Sequence, residues 1–272
     1  MGINVLSLFD GMSCGQIALE KAGIEVNNYY ASEIDKYAIA IAKKNYPNTK
    51  HIGSVIEVKG KDLPKIDLLI GGSPCQGFST AGNELNFKDP RSKLFFEFVR
   101  ILKETKPNYF LLENVGMKKE FRDIISGYLG CEPIHINSAK LTAQNRPRFY
   151  WTNIANVTQP VDKGITTYDI LGIEKIGQMQ PFPRNYKKIG LKRIERFEAR
   201  TDGKSNCCLA RSDKNLYETE TGIKKLTPND YEKLQTVPEN YTKGVSNTQR
   251  YKMLGNGWTV DVIAHIFKNI EL

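Results

Sequence analysis

Short apolar runs alternate with amphipathic stretches through the first half of the chain, the pattern of strands interleaved with helices in an α/β fold. Ile3–Phe9 reads as the first strand and Gln16–Ala22 as a helix that Gly23 ends. Val26–Ala31 predicts a second strand. Asp35 then caps a helix running to Asn45, its carboxylate placed to accept the free amides of the first turn. His51–Val55 reads as a short third strand and Ile66–Leu69 as a buried fourth. Leu94–Glu104 is amphipathic and helical. Tyr109–Val115, residues 133–138 and Phe149–Trp151 predict three more strands. Beyond a glycine- and proline-marked middle, Thr227-Pro228-Asn229-Asp230 caps a helix over Tyr231–Gln235. Ser246-Asn247-Thr248 starts another over Gln249–Leu254, Gly255-Asn256-Gly257 reads as a turn, and Val260–Ile270 as a final amphipathic helix.

The junctions between these elements carry the chemistry. The first strand runs into Asp10-Gly11-Met12-Ser13-Cys14-Gly15 and then a helix, the opening of a nucleotide-type site. That turn holds no Lys or Arg, and Asp10 stands where a phosphate would be repelled. A cofactor with a cationic, phosphate-free reacting end, such as S-adenosylmethionine, suits it better. Glu33, about 20 residues past the turn, is placed to bind ribose hydroxyls; as a bland alternative it is an acid at a helix N-terminus beside Asp35. The Ile66–Leu69 strand delivers Cys75 onto a Gly/Pro/Ser-rich loop at the carboxyl end of the sheet, where open α/β sheets bind ligands. Cys75 is there either a nucleophile or a small buried residue beside a tight turn. The polar loop Thr80–Lys93 is long enough to act as a lid. Glu113 ends its strand at the same edge, and Arg146 and Arg148, two apart, point the same way if extended.

Composition narrows the class. The 272 residues carry a net charge of +9 and a pI near 9.1, which favours a polyanionic partner, nucleic acid first. Five cysteines without C-x-x-C spacing, and three scattered histidines, suit reduced thiols and no metal site. No apolar run approaches the ~20 residues of a membrane helix, and the N-terminus lacks a signal peptide's basic start. An intracellular, cytoplasmic protein is expected.

Taken together, Phe9-Asp10-Gly11…Gly15, Glu33, Pro74-Cys75-Gln76, Glu113-Asn114-Val115, Gln144-x-Arg146-x-Arg148 and Gly255-Asn256 resemble, in order and spacing, the C5-cytosine DNA methyltransferases. The resemblance covers about residues 3–151 and 225–268. Some segments look like the mammalian de novo branch, among them Leu94-Phe95-Phe96-Glu97-Phe98 and Gly257-Trp258-Thr259-Val260. Leu226-Thr227-Pro228…Leu234-Gln235…Pro238 looks like the bacterial and phage enzymes, of restriction-modification systems or standing alone.

The resemblance implies a Rossmann-like methyltransferase fold, a mostly parallel sheet with one antiparallel strand, plus a small target-recognition domain. It implies a catalytic and cofactor-binding domain over residues 1–154, a recognition domain over 155–250, and a segment 251–272 whose helix returns to the catalytic domain beside the first strand. Cys75 thiolate would add to C6 of a flipped-out cytosine in double-stranded DNA, and Glu113 would bond N3 and the exocyclic amine. Arg148 would hold O2, and Arg146 would support the site and lower the thiol pKa. S-adenosylmethionine, leaving as S-adenosylhomocysteine, would lie among Phe9, Asp10, Gly11 and Gly15, with Glu33 on the ribose and Ile34 on adenine. Pro74, Leu94, Asn256 and Trp258 would complete the pocket. Ser54 stands where the family usually has an acid reaching the adenine amine, which weakens that contact or routes it through water. Asn229 and Lys233 replace common arginines of the Leu-Thr-Pro segment.

Residues 155–225 match nothing in the resemblance but are basic, with Arg184, Lys188, Lys192, Arg193, Arg196, Lys204 and Arg211 as expected phosphate contacts and Gln76 and Ser79 as contacts near the flipped base. The alternative for this stretch is a solvated charged helix around Leu191–Arg200. Cys207-Cys208 is expected to be packing, since adjacent cysteines rarely join each other. No protein partner is implied. Two rival functions are kept: the same chemistry on RNA, since one relative of the family methylates transfer RNA, and a catalytically inactive DNA-binding homologue.

Overall fold

The computed structural model describes residues 2–73, 93–185, 192, 194–211 and 215–271. Pro74, Cys75, Gln76, Ser79, Lys188, Arg193 and residues 80–92 of the expected lid lie outside the described residues. Two units emerge. The first comprises the chain through Asn137, Pro147–Pro160, and the chain from Val260 onward; the second comprises Ser138–Arg146 and Val161–Thr259. Residues 138–146 and 251–259 therefore group with the second unit, where the sequence reading had placed them in the catalytic domain and the C-terminal segment.

The first unit is built on a seven-stranded sheet. Its strands are β1 (Ile3–Leu8), β2 (Val26–Ser32), β3 (Lys50–His51), β4 (Leu68–Gly71), β5 (Tyr109–Asn114), β6 (Ile134–Asn137) and β7 (Pro147–Thr152), in spatial order β3-β2-β1-β4-β5-β7-β6. The pairs from β3 to β5 are parallel; β7 runs antiparallel to both of its neighbours and is the one reversed strand. β4 is buried along its whole length, as a central parallel strand must be. β3 is shorter than the expected His51–Val55, because Gly53 at φ +78° turns the chain out of the sheet.

Four helices join the strands: α1 (Cys14–Ala22), α2 (Lys36–Asn45), α3 (Lys93–Thr105) and α4 (Lys119–Leu129), the last unread in the sequence. Gly23 ends α1 in the left-handed conformation, and Asp35 caps α2 through Tyr37 N and Ala38 N. α3 and α4 bury Phe95, Phe98, Phe121 and Ile125 against Leu6, Leu8, Leu69, Leu112 and Trp151 on one sheet face. The C-terminal helix Val260–Phe267 packs beside α1, with Lys21 and Asp261 paired at 2.7 Å.

The second unit carries α5 (Thr167–Leu171) and an antiparallel sheet of β8 (Ile176–Phe182), β9 (Ile194–Ala199), β10 (Leu216–Thr219) and β11 (Gly222–Lys225), in order β11-β10-β8-β9. The charged helix weighed for Leu191–Arg200 is thus a strand from Ile194: cross-strand pairing with β8 overrides what its charge pattern suggests. Two helices follow. α6 (Pro228–Leu234) opens with a capping box in which Thr227 and Asp230 satisfy each other's backbone amides. α7 (Asn247–Asn256) starts at Ser246 and absorbs two residues of the expected glycine turn.

Candidate active site

Strand register brings the sequence candidates of the first unit to one edge. Leu8 pairs with Gly71 and with Ser32, and Gly71 pairs with Leu112. The turn after β1, Glu33 after β2, the exit of β4 toward Cys75, and Glu113 near the end of β5 therefore all lie at the carboxyl edge. A parallel strand would place its own start at the opposite edge. Because β7 is reversed, Arg148 comes to the same edge, one residue before the Phe149–Asn114 pair.

Glu113 and Arg148 meet there. Arg148 Nε lies 2.9 Å from Glu113 Oε1, with both side chains about nine-tenths buried. A second guanidinium nitrogen, Nη1, donates to Pro147 O at 2.8 Å. The ion pair holds the carboxylate and the guanidinium together at this edge of the sheet.

The turn after β1 is held in an unusual conformation. Phe9, Gly11 and Ser13 all have positive φ, at 58°, 59° and 65°, and two of the three are not glycine. Gly11 N donates to Glu33 Oε2 at 2.8 Å, while Glu33 Oε1 accepts from Ile34 N and Asp35 N. Nothing lies within 4 Å of where a Gly11 side chain would sit. Ile34 is 77% exposed, Ser54 and Phe9 are half-buried, and Gly15 is buried inside α1. Leu94 is half-buried and packs on the aromatic core beneath α3.

Asp10 departs from expectation. Its carboxylate turns inward: Oδ1 accepts from Tyr29 Oη at 2.7 Å, and Oδ2 accepts from Ser13 Oγ. Desolvation pushes its pKa up to about 6, against the pull of hydrogen bonds from Ser13, Ser7 and Tyr29. The side chain is therefore buried and committed to Tyr29 and Ser13 rather than presented on the surface of the turn. Tyr29 and Ser13 went unnoticed in the sequence, since a tyrosine in an apolar strand reads as core.

The motif residues of the second unit are architectural in their contacts. Gln144 and Gln235, both fully buried, bond each other from Nε2 to Oε1 at 2.9 Å. Gln144 Oε1 accepts from Cys208 N, and Gln235 Nε2 donates to Leu254 O. Arg146 donates to Cys208 O, Gly255 O and Gly257 O at 2.8–3.0 Å and to Cys207 Sγ at 3.2 Å. Gly255 is required sterically, because a Cβ there would stand 2.1 Å from the backbone of Leu209. Asn256 is exposed at the end of α7 and Trp258 is buried. Cys207 and Cys208 are free thiols, as expected, and burial pushes the Cys208 thiol up. Glu232, fully buried, takes Arg250 at 3.0 Å and the amides of Asn240 and Thr242.

Of the expected phosphate contacts, Lys192 and Arg211 are exposed. Arg184 is exposed but paired with Glu198, and Arg196 lies over the Phe182 ring at 5.6 Å. Lys204 contradicts its assignment: its ammonium donates to the carbonyls of Ala139, Thr142 and Ile165, so its donors serve the second unit's own loops. Lys224 and Lys225, on the exposed strand β11, are two basic residues outside the expected stretch. Among the described residues no cluster of metal-ligating side chains and no helix long and apolar enough to cross a membrane is present.

Two relatives are similar over nearly the whole chain. The chain is 30% identical to the type II methyltransferase M1.ScrFI of Lactococcus lactis subsp. cremoris, over 95% of this chain and 75% of that protein. It is 28% identical to the type II methyltransferase M.NlaX of Neisseria lactamica, over 98% and 96%. The structure of the Entamoeba histolytica methyltransferase EhMeth shares the fold, with a TM-score of 0.74 at 18% identity over 99% of this chain and 98% of that one. The profile of the C-5 cytosine-specific DNA methylases matches residues 3–166 and 148–272. With both units inside that match, the chain belongs to the C-5 cytosine-specific DNA methylase family, a family of DNA cytosine methyltransferases.

Proposed function

We propose that the protein methylates C5 of a cytosine flipped out of double-stranded DNA, through a covalent bond between Cys75 and C6. The observation that carries this reading is the Glu113–Arg148 pair, set beside the strand end from which the chain runs on into Pro74-Cys75-Gln76. C5 is too weak a nucleophile to take a methyl group unaided. Addition of the Cys75 thiolate to C6 moves electron density onto C5. Glu113 bonds N3 and the exocyclic amine, its carboxyl giving a proton to N3 as C6 is attacked and taking it back when Cys75 leaves. Arg148, already fixed against Glu113, bonds O2. Once C5 carries the methyl group, a base removes the C5 proton and Cys75 leaves, which restores the ring. A cytosine stacked in a duplex exposes neither ring face to attack, so the base must leave the stack.

The residues after β1 and β2 fit S-adenosylmethionine. Glu33, its orientation set by three backbone amides, retains acceptor capacity on Oε2 for ribose hydroxyls. The exposed Ile34 side chain is a platform for an adenine ring, and the open space over Gly11 admits close approach to the backbone. Bound there, the cofactor supplies an electrophilic methyl group on a sulfonium. The parts given to Pro74, Asn256 and Trp258 rest on the resemblance alone.

Direct comparison of duplex DNA and transfer RNA as methyl acceptors tests the substrate. 5-Methylcytosine in DNA digests, and none in RNA, is expected; the reverse outcome moves the same chemistry to RNA. Cofactor binding without product on either would favour an inactive DNA-binding homologue.

A further inference from the structure

We infer that Tyr29 is a positioning residue for the cofactor turn, holding Phe9–Ser13 in its left-handed course through the inward-facing carboxylate of Asp10. The inference rests on the reading of that turn as part of the donor site.

Three observations point the same way. First, Asp10 is the buried hub of the turn, with Tyr29 on one carboxylate oxygen and Ser13 on the other. Its backbone is pinned as well: Asp10 N donates to Ser32 O, and Asp10 O accepts from Ser13 N. Second, Ser13 occupies the N-cap of α1 but makes no side-chain cap bond. A serine at that position ordinarily accepts from an amide of the first turn. Here its φ is +65° and its hydroxyl is donated to Asp10 instead, so the helix start forgoes a cap in favour of the turn. Third, Tyr29 lines a recess of about 280 Å³ together with Leu19, Ile24, Val26 and Tyr46. The ring is itself only 3% exposed, so its hydroxyl, shut away from bulk water, is committed to Asp10.

Backbone with positive φ at two non-glycine residues persists only where the surroundings over-determine it. The brace supplies that constraint from inside, while Glu33 ties Gly11 from outside. The groups facing Asp10 are Ser7 from β1, Ser13 from the turn, Tyr29 from β2 and Glu33 beyond it, with Cys14 of α1 near Tyr29. Three of these are hydroxyl donors, which favour the ionised carboxylate; Glu33 opposes it.

Tyr29→Phe removes one donor and keeps the ring. S-adenosylhomocysteine binding, followed by calorimetry from pH 5 to 8, should weaken about tenfold near neutrality. KM for the methyl donor should rise with kcat nearly unchanged. In cofactor-free protein, the carboxyl carbon of Asp10, followed by NMR, should titrate at higher pH than in the parent, and the acid limb of binding should move with it. Ser13→Ala, which removes a second donor and leaves the Tyr29 ring and its bond in place, should shift both in the same direction and serves if Tyr29→Phe fails to fold. Binding within twofold of the parent at every pH, with the Asp10 titration unmoved in both variants, would overturn the brace. A parent protein that binds no S-adenosylhomocysteine would overturn the donor assignment instead, while the Asp10 titration still decides whether Tyr29 holds the carboxylate.

Discussion

The two units treat their motif residues differently. At the carboxyl edge of the first unit, carboxylates are oriented by backbone amides and by an arginine of the same edge. Glu33 is oriented by backbone amides with Oε2 only half used, and Glu113 is fixed at one oxygen by Arg148. In the second unit Gln144 and Arg146 are buried and committed to the chain itself, Gln144 to Gln235 and Leu234, Arg146 to three carbonyls and a thiol. The contrast shows that residues of one motif can have opposite physical roles. Arg146 and Arg148 stand two apart in sequence, yet one closes a buried network while the other orients a carboxylate at the sheet edge.

Substitutions at Cys75, Glu113 and Arg146 sharpen or break this contrast. The largest effect is expected from Cys75→Ser, which should reduce methyl transfer to background while leaving cofactor binding intact; retained turnover would refute the nucleophile. Glu113→Gln should lower kcat by about 10²–10⁴-fold with little change in thermal stability. Arg146→Ala should do the reverse in emphasis, destabilising the protein by about 3 kcal/mol in urea unfolding, because several buried carbonyls lose their donor together. Arg146→Lys should rescue only part of that, since an ammonium lacks the fork. A loss of activity in Arg146→Ala with stability unchanged would erase the distinction between the two arginines.

An effect confined to acid pH separates a buried carboxylate from an edge one. Folding raises the pKa of Asp10 from 3.8 to about 6, so between those values the folded chain binds the proton more tightly than the unfolded chain. Stability from this group is present below about pH 4 and is lost as pH rises toward 6, by about 3 kcal/mol. Asp10→Asn should flatten that segment of the pH–stability curve, measured by denaturant unfolding at each pH. The smallest effect is expected from the second unit's surface: replacing Arg196 by Gln should reduce the salt slope of DNA binding by about one. An unchanged slope would remove Arg196 from the phosphate contacts.

Much of the first unit was legible because its signals are local. The succession of strands, the Asp35 cap and the Gly23 stop need only neighbours in sequence, and the structure has all three. The Thr227–Asp230 cap of α6 was legible for the same reason. Where the polar motif residues point was not legible, because direction depends on partners far along the chain. Asp10 faces Tyr29, nineteen residues away, and Arg146 faces Gly257, 111 residues away. Neither spacing has a local signature. The strand β9 was obscured by its own charge, since it pairs on one side only and its exposed positions read like a helix surface.

If the Glu113–Arg148 edge serves a covalent step at Cys75, that step can be trapped on DNA. Duplex DNA carrying 5-fluorocytosine in varied sequence contexts, incubated with protein and S-adenosylmethionine, should give an adduct that survives denaturation and maps to Cys75. Fluorine blocks the final elimination, so the bond to C6 persists. An adduct at Cys75, lost in Glu113→Gln, is the predicted result. An adduct mapped to another residue, or 5-methylcytosine formed by the Cys75→Ser variant, would contradict the account.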